Sequence, residues 1–433
     1  MKRIVGRAIR APHPDLEAVE AAIRVAALAA GARVLEGFLA EIGCGRRQEQ
    51  VVCSCGTRMN SHGVDCKELD TTLGTARYAR SGFECPKCDK RRYPGDELLD
   101  VMGTSFSPGL RRMMARAGSR DTFKEGRDDL RIYAGLTVSA KSVERVAEAI
   151  GMDLEVWAKR ERDVLRRQEP PDCPLRTTPT LYIELDGTGV PMVPAEIEGR
   201  KGKQPDGSAK TREAKLGCLF TQTRLNDEGR PVRDPASTSW VGAIESAAEF
   251  GWRLYAEAVR RGLFFARCVV ALGDGAEWIQ NLVQIHFPMA LFIIDLYHAK
   301  EHVARLASLL FDRYPKQAEC WRDRWWDLLE QGRVETLIEQ VRAIAPRCLS
   351  KDVQREVHYL DKNKDHMRYA KYRAEGLFVG SGIIEAGCGS VIGERMKKSG
   401  MEWSLRGANA ILSLRCMSLS NRIEDYWADR AAG

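Results

Sequence analysis

The chain has 433 residues, 44% of them hydrophobic and 29% charged, with 13 cysteines and a formal net charge of +7. That balance fits a globular chain long enough for several domains and excludes a collagen-like or broadly disordered one. The best apolar run, "MALFII" at 289–294, is far short of the roughly 20 residues a membrane span needs, so no membrane partner and a cytoplasmic location are expected.

The basic start "MKRIVGRAIR" precedes an apolar stretch broken by Glu17, Glu20 and Arg24. This reads as an amphipathic helix over 15–42 within an N-terminal segment 1–46, and not as a signal peptide. Residues 47–100 are loop-rich and hold five cysteines. "CSCG" and "CPKC" place Cys53, Cys55, Cys85 and Cys88 at the spacing of two metal knuckles, with a hairpin predicted between them. Four thiolates suit tetrahedral Zn²⁺, which predicts a zinc-ribbon-like segment. The Cys-x-Cys half is unusual, so His62 or Cys66 stands as an alternative ligand. Cys218 and Cys268 lie on apolar stretches and are expected in the core.

Residues 101–168 read as helices separated by polar turns, with Gly118 and Gly135 near their ends. "YAGLTVSAKSVERVAEAIG" has a helix-turn-helix pattern in which Ser139 or Ser142 caps the second helix, and Lys141 and Arg145 could reach DNA. The same pattern occurs in plain helical bundles. "EPPDCPLRTTPT" at 169–180 is a Pro-rich linker and the expected domain boundary.

Beyond it the pattern turns strand-like. "TLYIEL", "VPMVPAE", "KLGCLFTQT", "RCVVALG" and "MALFIID" are short, branched and apolar. "TSWVGAIESAAEFGWRLYAEAVRRG" and "GAEWIQNLVQIHF" read as helices between the later ones. Three strands followed by strand–helix alternation predict a mixed sheet with helices on its faces. The chain turns helical and charged again from about 299 to 375, where Trp321, Trp325 and Trp326 are expected in a helical core or, for one of them, against an unpaired base.

Three acids follow three apolar strands: Asp186, Asp274 and Asp295. Two sit in Asp-Gly pairs, a strong hairpin signal, so a hairpin corner is expected to present Asp186. Asp274 could equally cap the helix that follows it. A fourth acid, Glu385, sits in the first turn of a helix whose apolar face is Ile383, Ile384, Cys388, Val391 and Ile392; the helix dipole favours an acid there without any task. Carboxylates that converge repel one another unless a cation neutralises them. Two Mg²⁺ ions held by such acids can activate an attacking oxygen and stabilise a leaving one on a phosphodiester. Basic segments surround these positions: "GRKGKQPDGSAKTREAK" with Arg200, Lys201 and Lys203, "KNKDHMRYAKYR", and "ERMKKSG" with Lys397 and Lys398. They suit a phosphate track, although a charge run is usually a solvated face.

The set "LDGTG", "LGDGAEW", "DLYHAKEH" and "SGIIEAGCGSVIGERMKKSGMEWS" resembles bacterial insertion-sequence transposases of the ISKra type, in the Asp-Asp-Glu (DDE) group with Mutator-like relatives. The resemblance implies a multidomain α/β protein. Its ribonuclease-H-like mixed-sheet core would span 173–305 and 376–433, with an all-helical insertion at 306–375. Asp186, Asp274 and Glu385 would be the catalytic acids, and Asp295 and His298 an auxiliary pair, with Asp295 in place of Asp274 as the rival assignment. The implied activity is cleavage of the element's ends and their joining to target DNA with two Mg²⁺ ions, for which Mn²⁺ could substitute. The implied partners are double-stranded DNA (terminal inverted repeats and target) and further copies of the chain, at the bacterial nucleoid. A ribonuclease-H-like nuclease without strand transfer, and an inactive transposase-derived DNA-binding protein, are the alternatives.

Overall fold

The computed structural model describes residues 15–42, 51–167, 178–202, 204–344 and 350–432. Its contacts divide the chain into two units, 1–147 and 148–433.

The first unit begins with helix α1 (Leu16–Ile42). A long antiparallel hairpin follows, β1 (Asn60–Thr71) and β2 (Gly74–Glu84), edged by the short β3 (Arg91–Arg92). The hairpin starts at Asn60, earlier than the sequence suggests, because its polar first half is exposed and shows no apolar alternation. Leu39, Leu69, Ala76, Tyr78 and Val101 form a small core between α1 and the hairpin. Helices α2 (Pro108–Arg120) and α3 (Phe123–Ala134) come next. Ser107 caps α2, and a Thr122/Glu125 capping box opens α3. Gly135 closes α3 at φ +70°, a conformation that costs glycine little. Helix α4 (Ala140–Arg166) runs across the division, and Ser139 is its cap, accepting the Ser142 amide at 3.0 Å.

The second unit holds a six-stranded mixed sheet. Its strands are β4 (Thr178–Pro191), β5 (Thr211–Leu225), β6 (Pro231–Arg233), β7 (Ser239–Ala243), β8 (Ala266–Gly273) and β9 (Leu291–Ile294). The order is β6-β5-β4-β8-β9, with β7 also pairing β5. β4 and β5 are antiparallel, whereas β4, β8 and β9 are mutually parallel. The central strand is buried on both faces, Leu181 through Leu185 without interruption, as a strand covered on both sides must be. "TSWVGAIESAAEFGW" does not begin as a helix: Ser239–Ala243 is a strand, and Ser246 caps α5 (Ala247–Arg260). Trp240 and Val241 favour extended backbone, and the pairing with β5 overrides the helical spacing of the following residues.

Helix α6 (Glu277–His286) joins β8 to β9, and α7 (Leu296–Leu310) leaves β9. Four helices occupy most of the predicted insertion: α8 (Pro315–Glu330), α9 (Val334–Ile344), α10 (Lys351–Asn363) and α11 (Tyr369–Ala374). Trp325, Leu329, Leu337 and Leu360 on these helices are fully buried. The chain returns to the sheet through α12 (Gly382–Gly387), a π-helical turn (Cys388–Gly393), α13 (Leu405–Leu419) and α14 (Ile423–Ala432). Asn409 on α13 accepts the Ile244 amide at 2.8 Å and Ser420 accepts that of Trp240 at 2.8 Å, which fixes α13 along β7.

Candidate functional sites: a thiol cluster and a carboxylate edge

In the first unit two tight turns bring four sulfurs together. The Gly56 amide bonds the Cys53 carbonyl and the Asp89 amide bonds that of Cys85, both at 2.9 Å. Gly56 and Asp89 adopt positive φ, 81° and 55°, to make these turns. Sγ atoms of Cys53 and Cys88 lie 3.5 Å apart, those of Cys55 and Cys85 3.6 Å, and those of Cys55 and Cys88 3.9 Å. All four fall within 4.8 Å of one another. Tetrahedral Zn²⁺ with 2.3 Å bonds sets its sulfurs about 3.8 Å apart, so the cluster fits zinc. Cys53 and Cys85 are buried with Met59, while Cys55 and Cys88 are exposed. Hydrogen bonding with the Thr57 side chain and then its backbone pulls the Cys55 thiol down to about 6. The alternative ligands stand apart from this group: His62 pairs with Glu84 at 3.2 Å, and Cys66 opposes Ala79 across the hairpin.

In the second unit the acids occupy one edge of the sheet. Asp186 does not stand at a hairpin corner. β4 runs on to Pro191, paired throughout with β5, and Asp186 opposes Leu216. It lies two residues past the last parallel pair, Glu184 with Leu272, where β8 has ended and the strand is open on that side. The glycines of "LDGTG" serve the pairing: a Cβ at Gly187 would meet the Glu213 carboxylate at 2.6 Å, and one at Gly189 the Thr211 hydroxyl at 2.8 Å. Asp274 follows the last residue of β8, and its Oδ1 accepts the Ala276 amide at 2.8 Å. Asp295 follows β9 and caps α7. It is 1% exposed and both its oxygens accept backbone N–H groups, Oδ1 from His298 at 2.6 Å and Oδ2 from Ser381.

Glu385 is exposed on α12. Partial burial, then the charges of Asp295 and Asp186, push its carboxyl above the ordinary range. His298, half-buried, has the opposite effect. The fields of Asp186 and Asp295 therefore reach Glu385 across some 200 and 90 residues of sequence. Asp274 and Asp295 both raise the hydroxyl of Tyr359, after burial. Among the described residues, however, only the four thiols gather ligand atoms from three or more side chains within 4.8 Å.

Several residues that sequence reasoning missed hold this edge. Glu184, two residues before Asp186, is fully buried, and its Oε2 accepts the Ile384 amide at 2.8 Å, which pins the start of α12 to β4. Its Oε1 is buried without a hydrogen bond. Burial, with Asp295 and Glu385 adding, pushes its carboxyl up to about 8. The Cys388 thiol donates to Asp186 Oδ2 at 3.2 Å. Arg415 on α13 donates to the carbonyls of Val391 (2.5 Å) and Ser390 in the π-turn. Tyr359 on α10 donates to the Asp274 carbonyl at 2.9 Å and stacks on His302 at 3.6 Å. His302 in turn is held by buried Glu356 at 2.5 Å. Asn363, on the same face of α10, bonds Gln280, which bonds the Gly275 carbonyl at 3.0 Å. The only available signal was the helical spacing of Glu356, Tyr359 and Asn363, which any buried helix face would show.

The predicted basic residues separate. Lys397 is exposed and bonds the Thr188 hydroxyl, beside Asp186 on β4. Lys398 is half-buried on the same turn. Arg200 and Lys201 are exposed in the segment joining β4 to β5, and Lys203 lies outside the described residues. Lys141, paired with Glu144 at 2.6 Å, and Arg145 are exposed on α4 within the first unit. No helix among the described residues is long and apolar enough to cross a membrane.

The model of an uncharacterised protein family (UPF0236) matches residues 221–425, a stretch that contains Asp274, Asp295, His298 and Glu385 but not Asp186. No curated protein matches. Among solved structures, the chain is similar to a Drosophila P element transposase strand transfer complex, with 8% identity over 73% of this chain and 81% of that one and a TM-score of 0.24. At that score the likeness carries no argument about this chain.

Proposed function

We propose that the protein is a DDE transposase with a ribonuclease-H-like core, which cleaves the ends of an insertion sequence and joins them to target DNA. The observation that carries this reading is the carboxylate edge: Asp186 just past the parallel pairing of β4 with β8, Asp274 and Asp295 directly after β8 and β9, and Glu385 on a helix within the field of Asp186 and Asp295. A strand order in which two parallel strands follow an antiparallel hairpin supports the ribonuclease-H-like assignment.

Asp186, Asp274 and Glu385 would hold two Mg²⁺ ions, or Mn²⁺, through hard carboxylate oxygens. Bound there, such ions neutralise the phosphodiester and activate water or a 3′-hydroxyl. Asp295, with both oxygens taken by backbone N–H groups, suits a positioning acid better than a ligand. Lys397, bonded to Thr188 two residues from Asp186, would steady the phosphate backbone there. The zinc-ribbon-like segment (47–100) and the helical segment (101–168), through Lys141 and Arg145, would bind the terminal repeats. An oligomer would pair two ends.

A second reading, DNA binding without cleavage, draws on the separation of the acidic oxygens. Like charges explain that separation without a loss of function, since carboxylates lacking a cation stay apart. The test is a strand-transfer assay with Mg²⁺ and DNA bearing the flanking repeats of the chain's own locus. Asp186→Asn, Asp274→Asn and Glu385→Gln should each lower joining at least about 100-fold, the scale on which a lost transition-state contact counts. Cleavage without joining would leave a nuclease. Repeat binding by the wild type with no cleavage would leave the inactive reading.

A further inference from the structure

Beside the carboxylate edge, a cleft of about 800 Å³ opens between the β5–β6 turn, the start of α7 and the segment leading into α12. Its floor is apolar, with Leu296, Phe378 and Ile383, and its rim carries Arg230, Tyr297 and Arg373. Phe378 packs edge-on to Tyr182 and Phe220, and its amide bonds the Tyr182 hydroxyl.

Tyr297 is 60% exposed although it is large and aromatic. One side of its ring lies close against Gly380, where a Cβ would meet it at 2.8 Å. The rim is positive on balance. Arg373 shares Glu330 with Lys300, two cations to one carboxylate, while Arg230 is matched by Glu228 at 3.1 Å. An exposed aromatic face over an apolar floor, with guanidinium groups at the rim, is the chemistry that takes a base and its phosphate.

We propose that this cleft receives one unpaired nucleotide of a DNA strand, its base stacked on Tyr297 and its phosphate held by Arg373 and Arg230. The inference rests on the proposed function in one respect: Gly382 and Ile383 line the cleft on the helix that carries Glu385, so the nucleotide would lie next to the phosphate being cut.

The experiment is equilibrium binding of the full chain to a single-stranded oligonucleotide carrying 2-aminopurine, read by fluorescence, with an abasic oligonucleotide beside it. Wild type should quench the probe and bind the abasic strand more weakly. Tyr297→Ala should abolish quenching and weaken binding about 10-fold, within the range for one base–aromatic stack, whereas Tyr297→Phe keeps both. Tyr297 is exposed, so its loss leaves the fold intact, and an unchanged melting temperature verifies this. Equal affinity for probe and abasic strand, or quenching unaffected in Tyr297→Ala, overturns the proposal. So does self-association that Tyr297→Ala abolishes in a chain showing no quenching, which assigns the cleft to a second copy. DNA cleavage is scored separately. Tyr297-dependent binding without any cleavage supports this site and sinks the transposase reading, while cleavage with Tyr297-independent binding does the reverse.

Discussion

The thiol cluster and the carboxylate edge are built from the same kind of part, side chains that ligate metals, yet one is assembled and the other held open. The thiols come from two turns of one hairpin region, 30 to 35 residues apart in their closest cross-turn pairs. They crowd to 3.5 Å because two tight backbone turns, each closed within a few residues, fix where the side chains start. The carboxylates arrive from β4, the ends of β8 and β9, and α12. Ionised carboxylates repel one another, so each approach costs Coulomb energy until a cation enters. Preassembly is thus available to ligands carried on two adjacent turns and withheld from acids that arrive on separate strands and a distant helix. The first arrangement suits a permanent structural ion, the second an ion that comes with a substrate phosphate.

Breaking the assembled site should have the largest effect. Cys85→Ser removes a buried ligand, and zinc content measured by elemental analysis should fall from about one per chain to near zero. Apparent zinc binding contributes on the order of 10 kcal/mol to small domains of this type, so protease should then cut the 51–92 segment. Retention of zinc would mean that the cluster is not the site.

At the open edge, Asp295 separates from Asp274. Asp295→Ala leaves two amides, one buried and one half-buried, without their acceptor and should cost about 3 kcal/mol in urea unfolding. Asp274→Asn keeps an acceptor for the Ala276 amide and should stay within about 0.5 kcal/mol. Equal stability of the two variants would remove the distinction between a positioning acid and a ligand.

The smallest effect is a shift in titration. Glu385 is raised by burial, then by Asp295 and Asp186. A carboxyl whose folded value exceeds its unfolded value contributes stability below the unfolded value and loses it as pH rises through the folded one. Asp186→Asn removes part of the repulsion, so the Glu385 carboxyl followed by NMR should titrate lower, and the variant should gain stability at pH 7 relative to pH 4. An unmoved titration would mean that the two acids do not share a field.

The two sites were also unequally legible. Cys53, Cys55, Cys85 and Cys88 declare themselves by local spacing, since the turns that gather them lie within a few residues. Asp274 and Asp295 were legible for the same reason, each closing an apolar strand. The surroundings of Asp186 were not: Asp-Gly signals a turn, but pairing with β5 carries the strand through it, and only the end of β8 exposes the acid. Glu184 looks like an ordinary alternating residue in "YIELD" until Ile384, 200 positions later, is packed above it. Tyr359 and Asp274 are 85 residues apart, and no local pattern joins them. β7 was hidden because a partner strand, and not its own spacing, decides its form.

The π-turn after Glu385 sets the rotational phase of everything that follows it. One extra residue is wound into that turn, and a residue in a helix advances about 100° around the axis. Arg415 clasps the carbonyls of the wide turn and so stabilises the added length. That phase brings Lys397, twelve positions after Glu385, back to Thr188 on the strand of Asp186. Here the length of the chain matters as much as its composition. Losing any single residue between 388 and 393 would turn the acid and the lysine to different sides of the helix, even with every functional side chain still present.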